Sequence, residues 1–296
     1  MRKPDFFIVG APKCGTSALY RCLQAHPEIF APERKEIHYF GSDLYSPTYV
    51  RQRDEYLSLF RNAGDVKRVG EASVWYLFST RAAAEIKDFC DGASIIIMLR
   101  NPVDMMYSLH SQHLYNGTED IEDFLKALDA QDDRKIGRRL PKDVPAIERL
   151  FYRDVAMYSN QVERYLETFG RNSVKVIIYD DFKQDPVRIC RETFEFLSVT
   201  SDVEPQIGIV NANKKMRSKA IKSFLDRPPA FLRRLGRPLT TSELRHRLFV
   251  IAQRWNTNYA PRPPLATEIR QQLHDEFAPD IRRLSTLLNR ELTFWS

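Results

Sequence analysis

The chain has 296 residues, 43% apolar and 28% charged, with a formal net charge of +6 at pH 7. It is long enough to bury a large core, which excludes dependence on a disulfide scaffold. No run approaches the roughly 18 apolar residues of a membrane span. Cys14, Cys22, Cys90 and Cys190 lack metal-ligand spacing, so reduced thiols in a cytoplasm are expected.

Met1-Arg2-Lys3-Pro4 runs directly into Phe6-Phe7-Ile8-Val9, a short buried strand, and leaves no room for a signal peptide. Gly10-Ala11-Pro12 is a turn signal. Lys13-Cys14-Gly15-Thr16-Ser17 then opens a helix whose Leu19, Cys22 and Leu23 share one face. Strand, glycine loop and helix in this order aim free backbone N–H groups and the positive end of the helix dipole at an anion. Lys13 adds a mobile cation, and Thr16 and Ser17 add hydroxyl donors. Gly10 and Gly15 are spaced as in G-x-x-x-x-G-K-[ST], but Thr16 occupies the lysine position and Lys13 stands two residues ahead of Gly15.

Further along, the proline-bounded loop His26–Pro32 leads into Lys35-Glu36-Ile37-His38-Tyr39-Phe40, followed by a helical segment with Tyr49, Tyr56, Leu57 and Phe60. Val66–Val69 reads as a strand ending at Gly70-Glu71, and Ile86 and Phe89 mark a helix. Ser94–Leu99 is the strongest strand. It ends in Arg100, where a nucleoside-triphosphate enzyme usually places a magnesium-holding carboxylate, so a second anion held without metal is expected. Pro102 starts a long helix. Residues 116–148 read as a polar, mobile insertion at the edge of the site, with a short helical pattern at Phe124, Leu125 and Leu128. A helix over about 150–169, a strand at Val174–Tyr179, a helix at Pro186–Leu197 and an amphipathic helix over 265–288 complete the pattern. Alternating strands and helices predict one α/β domain over 1–296, its parallel sheet covered on both faces. Ligands sit beyond the carboxyl ends of such strands, where Lys13, Glu71 and Arg100 converge.

Residues 211–247 hold 11 Lys and Arg against 2 Asp and Glu. A stretch of that kind suits a polyanion or an anionic membrane surface. It has only Phe224 and Phe231 as stacking aromatics, so nucleic acid is not expected.

Arg100-Asn101-Pro102-Val103-Asp104-Met105-Met106-Tyr107-Ser108 resembles the 3′-phosphate segment of sulfotransferases that use 3′-phosphoadenosine 5′-phosphosulfate (PAPS). In that family an arginine ends a strand and a serine follows eight residues on. Pro12-Lys13-x-Gly15-Thr16-Ser17 looks like the family's 5′-phosphosulfate loop. Lys35-Glu36-Ile37-His38 is similar to a stretch of heparan-type carbohydrate sulfotransferases. The likeness extends to Gly70-Glu71-Ala72-Ser73, to Tyr158, to the late basic loop Asn211–Arg217 and to the C-terminal Phe277–Trp295. Ala72 stands where the family often has lysine, and the glycine two residues before Tyr158 is absent.

The resemblance implies a P-loop-like α/β sulfotransferase fold and sulfuryl transfer from PAPS, without metal, to a hydroxyl or amine of a glycan or glycolipid. Lys13, Cys14, Gly15, Thr16 and Ser17 would hold the phosphosulfate, with Lys13 also stabilising the leaving oxygen. Arg100, Ser108, Lys214 and Lys215 would hold the 3′ end. Cys14 enters as part of the loop, its thiol read as packing. Glu36 is the first candidate base, His38 the second, with His110 and His113 on the following helix. Partial burial is expected to lift Glu36 toward neutrality. A nucleotide kinase on the same fold, a non-catalytic polyanion binder and peripheral membrane contact stay open as alternatives.

Overall fold

The computed structural model describes residues 2–142, 144–206, 214–216, 257–259 and 262–295, with backbone alone at 214–216 and 257–259. In chain order the elements begin β1 (Phe6–Gly10), α1 (Thr16–Gln24), β2 (Ile29–Phe30), α2 (Arg53–Ser58), β3 (Arg68–Ala72), α3 (Ala82–Phe89) and β4 (Ser94–Leu99). Then come α4 (Pro102–Asn116), α5 (Phe124–Asp129), α6 (Gln131–Lys135), α7 (Tyr152–Ala156), α8 (Tyr158–Phe169), β5 (Val174–Ile178), α9 (Tyr179–Gln184) and α10 (Pro186–Phe196). Beyond these lie β6 (Lys214–Met216), β7 (Thr257–Tyr259) and α11 (Thr267–Leu288).

Five strands form one parallel sheet in the order β2-β3-β1-β4-β5, with helices on its faces. Its centre is nearly all apolar. Phe6 to Val9 of β1 and Ile95 to Leu99 of β4 are completely buried, as both-face coverage requires. Each such side chain contributes about 1.5–3 kcal/mol. Among the described residues no helix is long and apolar enough to cross a membrane.

Three departures from the sequence reading have local causes. β3 starts later than expected and carries Gly70 and Glu71 inside it rather than beyond its end. A Cβ on Gly70 would lie 2.3 Å from the Phe6 ring, so this glycine marks close packing within the strand rather than a stop. The helix expected over 150–169 is broken at Met157, between α7 and α8. Its second half is capped from a distance, because the Asp280 carboxylate accepts from the N–H of Tyr158 at 2.9 Å and of Ser159 at 3.3 Å. The strand at 174 stops one residue early, and Tyr179 begins α9.

The polar stretch 116–148 is tied to the body. Arg134 donates both fork nitrogens to the two oxygens of Glu119, at 2.9 and 2.7 Å, and Tyr152 donates to the same carboxylate at 2.9 Å. Both charged side chains are fully buried. Such a pair is a fixed clamp, since a lone member would be an uncompensated buried charge. Arg134→Met should therefore cost about 3–5 kcal/mol in denaturant unfolding, and Arg134→Met with Glu119→Leu should recover much of that loss.

Candidate active site

The loop between β1 and α1 is shaped by backbone more than by side chains. The Ala11 N–H donates to the Met98 carbonyl of β4 at 2.7 Å, which ties the loop to the neighbouring strand. Gly15 caps α1 at φ +88, and no side chain caps the first turn of that helix. Its N–H groups face a cavity of about 360 Å³ lined by Lys13, Thr16, Ser17, Lys35, Glu36 and His38, among others. An uncapped helix start with hydroxyls and lysines around it is an anion site. Lys13 Nζ donates to Gln112 Oε1 of α4 at 3.1 Å, and Lys35 Nζ donates to Thr16 Oγ1 at 3.2 Å.

Glu36 lies in the same cavity, with its side chain 37% exposed. Its oxygens accept from Lys35 Nζ at 2.5 Å and from the Val74 N–H at 3.0 Å, and one oxygen stands 3.0 Å from His38 Nε2. Burial opposes its ionisation, but the Lys35 ammonium and the His38 imidazole outweigh burial and hold the carboxyl at about 2. This corrects the expectation that burial lifts Glu36 toward neutrality: the neighbouring cation decides the sign. His38 is itself pulled down by burial, so it stands neutral beside the carboxylate. Lys13, Glu36 and His38 have φ of 64, 61 and 53, half of the non-glycine residues with positive φ in the described chain. Left-handed backbone at ordinary side chains concentrates at functional sites, and these are the three residues to which sequence reasoning gives catalysis.

Cys14 is in the loop but not in the cavity. It is fully buried, its Sγ donates to the Pro12 carbonyl at 3.3 Å, and burial pushes the thiol up to about 12. Only its backbone is available to a ligand. Glu71 also departs from the expected convergence of strand ends. It is fully buried under the site and accepts from Tyr56 at 2.7 Å, Ser73 at 2.9 Å and Tyr76 at 3.0 Å. Ser73 Oγ in turn receives the His38 N–H at 3.0 Å, so Glu71 braces the Glu36–His38 stretch from below. His110 is buried and spent on the Ile121 carbonyl at 2.8 Å. His113 lines the cavity, its Nδ1 on Thr118 Oγ1 at 2.9 Å, and burial with the Arg149 charge pulls it to about 3. Tyr158 is buried against Cys14.

The residues expected to hold a second anion gather at the start of α4. Asn101 caps that helix by accepting from the Val103 and Asp104 N–H groups, and donates its amide to the Trp295 carbonyl at 2.8 Å. Arg100 packs over the Tyr179 ring at 5.0 Å and stands 3.6 Å from Asp104. Ser108 is buried two turns further on. Sequence reasoning missed Arg262, whose guanidinium lies over the Tyr107 ring at 5.8 Å and whose buried Nη1 has no partner among the described residues. Burial and the nearby Arg100 charge lower its pKa. Arg270 also pairs with Asp104, at 2.9 Å. Three guanidiniums around one carboxylate leave an excess of positive charge that suits a phosphate. β6 runs beside α4, while the side chains of Lys214 and Lys215, and all of Asn211–Asn213 and Arg217, lie outside the described residues. Tyr179 links the two sites, because a Cβ on Gly15 would lie 2.9 Å from its ring.

A sulfotransferase domain model matches residues 3–225. The chain belongs to the sulfotransferase family. A solved sulfotransferase from Alicyclobacillus acidocaldarius shares the fold at a TM-score of 0.74 and 31% identity, covering 100% of this chain and 99% of that one. The Dictyostelium discoideum membrane-associated sulfotransferase kil1 is 33% identical over 107 residues, 36% of this chain. Human bifunctional heparan sulfate N-deacetylase/N-sulfotransferase 3 is 27% identical over 208 residues, 67% of this chain. The chain spans 22% of the length of each of these two relatives. Membership sets aside the kinase and the non-catalytic polyanion binder.

Two outcomes follow for this sulfotransferase. Gly15→Ala combines a strained φ with a collision against Tyr179, so nucleotide affinity should fall by about tenfold or more in a calorimetric titration. Burial raises Glu71 to about 7 from 4.5. The native state therefore keeps a proton that the unfolded chain releases, and stability should decline as pH rises from about 4.5 through about 7. Glu71→Gln should flatten that decline in melting temperatures measured across the window.

Proposed function

We propose that the chain transfers a sulfuryl group from PAPS to a hydroxyl or amine of a carbohydrate-type acceptor. Two cationic sites joined through one helix carry this reading: the uncapped loop with Lys13 and Lys35, and the Arg100–Arg262 cluster. A donor with phosphosulfate at one end and phosphate at the other fits such a pair. Arg262 Nη1, buried and without a hydrogen-bond partner among the described residues, has room for an anion's oxygen. Arg100, Arg262 and Ser108 hold the 3′-phosphate, and the Thr16 and Ser17 hydroxyls with the loop N–H groups hold the phosphosulfate. The cavity beside Glu36 admits the acceptor.

In the transfer, the acceptor oxygen or nitrogen bonds to sulfur as the bond from sulfur to the bridging phosphate oxygen breaks in line. Lys13 neutralises the charge that gathers on the departing phosphate, a role that needs a mobile cation at the loop. Glu36 accepts the acceptor's proton. Its carboxyl is a weak base while Lys35 holds it, but the bound phosphosulfate draws the Lys35 ammonium toward Thr16 and frees the carboxylate for that proton. His38, neutral and 3.0 Å away, fixes its orientation. The relatives' names, which include carbohydrate sulfotransferase 15 from Homo sapiens, support a carbohydrate acceptor. Four free cysteines agree with a cytoplasmic setting.

Calorimetry with adenosine 3′,5′-bisphosphate in the presence of a chelator tests the donor reading. The bisphosphate should bind without magnesium, and Lys13→Ala and Arg100→Ala should each weaken it by about tenfold or more. ATP binding that requires magnesium would overturn the reading. Glu36→Gln should lower turnover by about 100-fold or more with bisphosphate affinity little changed.

A further inference from the structure

One wall of the cavity carries a cation that the donor does not use. Arg149 follows the polar stretch, in the short helical turn Ile147–Leu150. Its guanidinium lies 5.2 Å over the Tyr49 ring and 5.4 Å over the Trp75 ring, and Nη2 donates to Tyr49 Oη at 2.5 Å. Rings on its faces and one hydroxyl at its edge hold the planar fork in a set orientation. Among the described residues no carboxylate forms an ion pair with Arg149, and its buried Nε has no hydrogen-bond partner.

The neighbours on this wall do not supply the missing charge. His113 is buried beside it, its Nδ1 is engaged with Thr118, and among the described residues its Nε2 has no hydrogen-bond partner. His38 is neutral, and Glu36 is engaged with Lys35, His38 and the Val74 N–H. Lys13 is held on Gln112 and Lys35 on Thr16, both at the loop where the phosphosulfate enters. That leaves a half-buried guanidinium and an aromatic surface together on the part of the cavity left for the acceptor. A half-buried guanidinium held in place by rings and without an ion-pair partner among the described residues gains attraction when a ligand brings the anion.

We infer that Arg149 forms an oxyanion subsite for the acceptor, so that the enzyme selects acceptors bearing a carboxylate or a sulfate ester beside the group to be sulfated. Trp75 gives the apolar face of the acceptor ring a surface. This rests on the sulfotransferase reading and adds to it the charge of the acceptor. Arg149 touches the acceptor but neither gives nor takes a proton. It belongs to specificity, and its loss should appear in KM far more than in turnover.

The test is equilibrium binding to the full chain saturated with adenosine 3′,5′-bisphosphate. The probes are a glucuronate-containing oligosaccharide, its carboxyl-reduced counterpart, and the reduced form carrying a sulfate ester. The carboxylate or the sulfate ester form should bind about tenfold or more tighter than the reduced one, and which of the two does so identifies the oxyanion. Arg149→Gln should abolish the difference, Arg149→Lys should keep part of it, and bisphosphate affinity should be unchanged in both. Equal binding of all three probes, binding of none, or a preference that survives in Arg149→Gln would overturn the inference. So would an Arg149→Gln that weakens every probe and the bisphosphate alike, which would place Arg149 on the donor. If the bisphosphate fails to bind wild type, the donor reading fails instead, and the same probes on the nucleotide-free chain still decide the role of Arg149. Melting temperatures report whether Arg149→Gln folds, and Arg149→Lys carries the comparison if it does not.

Discussion

Parallel pairing of β1 with β4 is the constraint on which the rest of this molecule depends. Phe6 to Ile8 pair with Ser94 to Ile96, and the Ala11 N–H reaches the Met98 carbonyl just where the two strands end. Adjacent strands lie about 4.8 Å apart, so the loop after β1 and the arginine after β4 leave the sheet side by side. Whatever spans the two sites must match a separation set by backbone hydrogen bonds, which side-chain motion cannot change. Tyr179, at the end of the next strand, fills the gap between Gly15 and Arg100 and keeps both in place.

Charge does the remaining work, and its sign at each residue follows from neighbours rather than from depth. Glu36 and Glu71 are both carboxylates near the same stretch of chain, yet one is held at about 2 and the other lifted to about 7. Glu36 has an ammonium on one oxygen, whereas Glu71 has only hydroxyls. Two environments thus split two like groups into an ionised one facing the cavity and a proton-holding one beneath it. The second supports the first through Ser73 and the His38 N–H.

Much of this was legible in the chain. Phe6–Val9 and Ile95–Leu99 are apolar without interruption because both faces of the sheet are covered, and uninterrupted runs are easy to read. Lys13, Thr16, Glu36 and Arg100 stand where strand ends and turns put them. The misses have a common cause. Gly70 looks like a turn from its residue type, and only the Phe6 ring beside it shows why a strand passes through. Arg149 and Arg262 lie in segments without period or motif, and their meaning comes from aromatic rings and unpartnered atoms contributed by distant residues. The polar composition of 116–148 suggested motion, because composition does not reveal that one arginine and one glutamate in it bury each other.

The amide of Asn101 holds the carbonyl of Trp295, 194 positions away, while its own oxygen starts the helix that follows Arg100. Trp295 is fixed a second time, its indole N–H donating to Asp180 at 3.0 Å, one residue after Tyr179. Residues nearly two hundred positions apart thus close one frame around Arg100, and loosening Trp295 would act on the turn that sets that arginine.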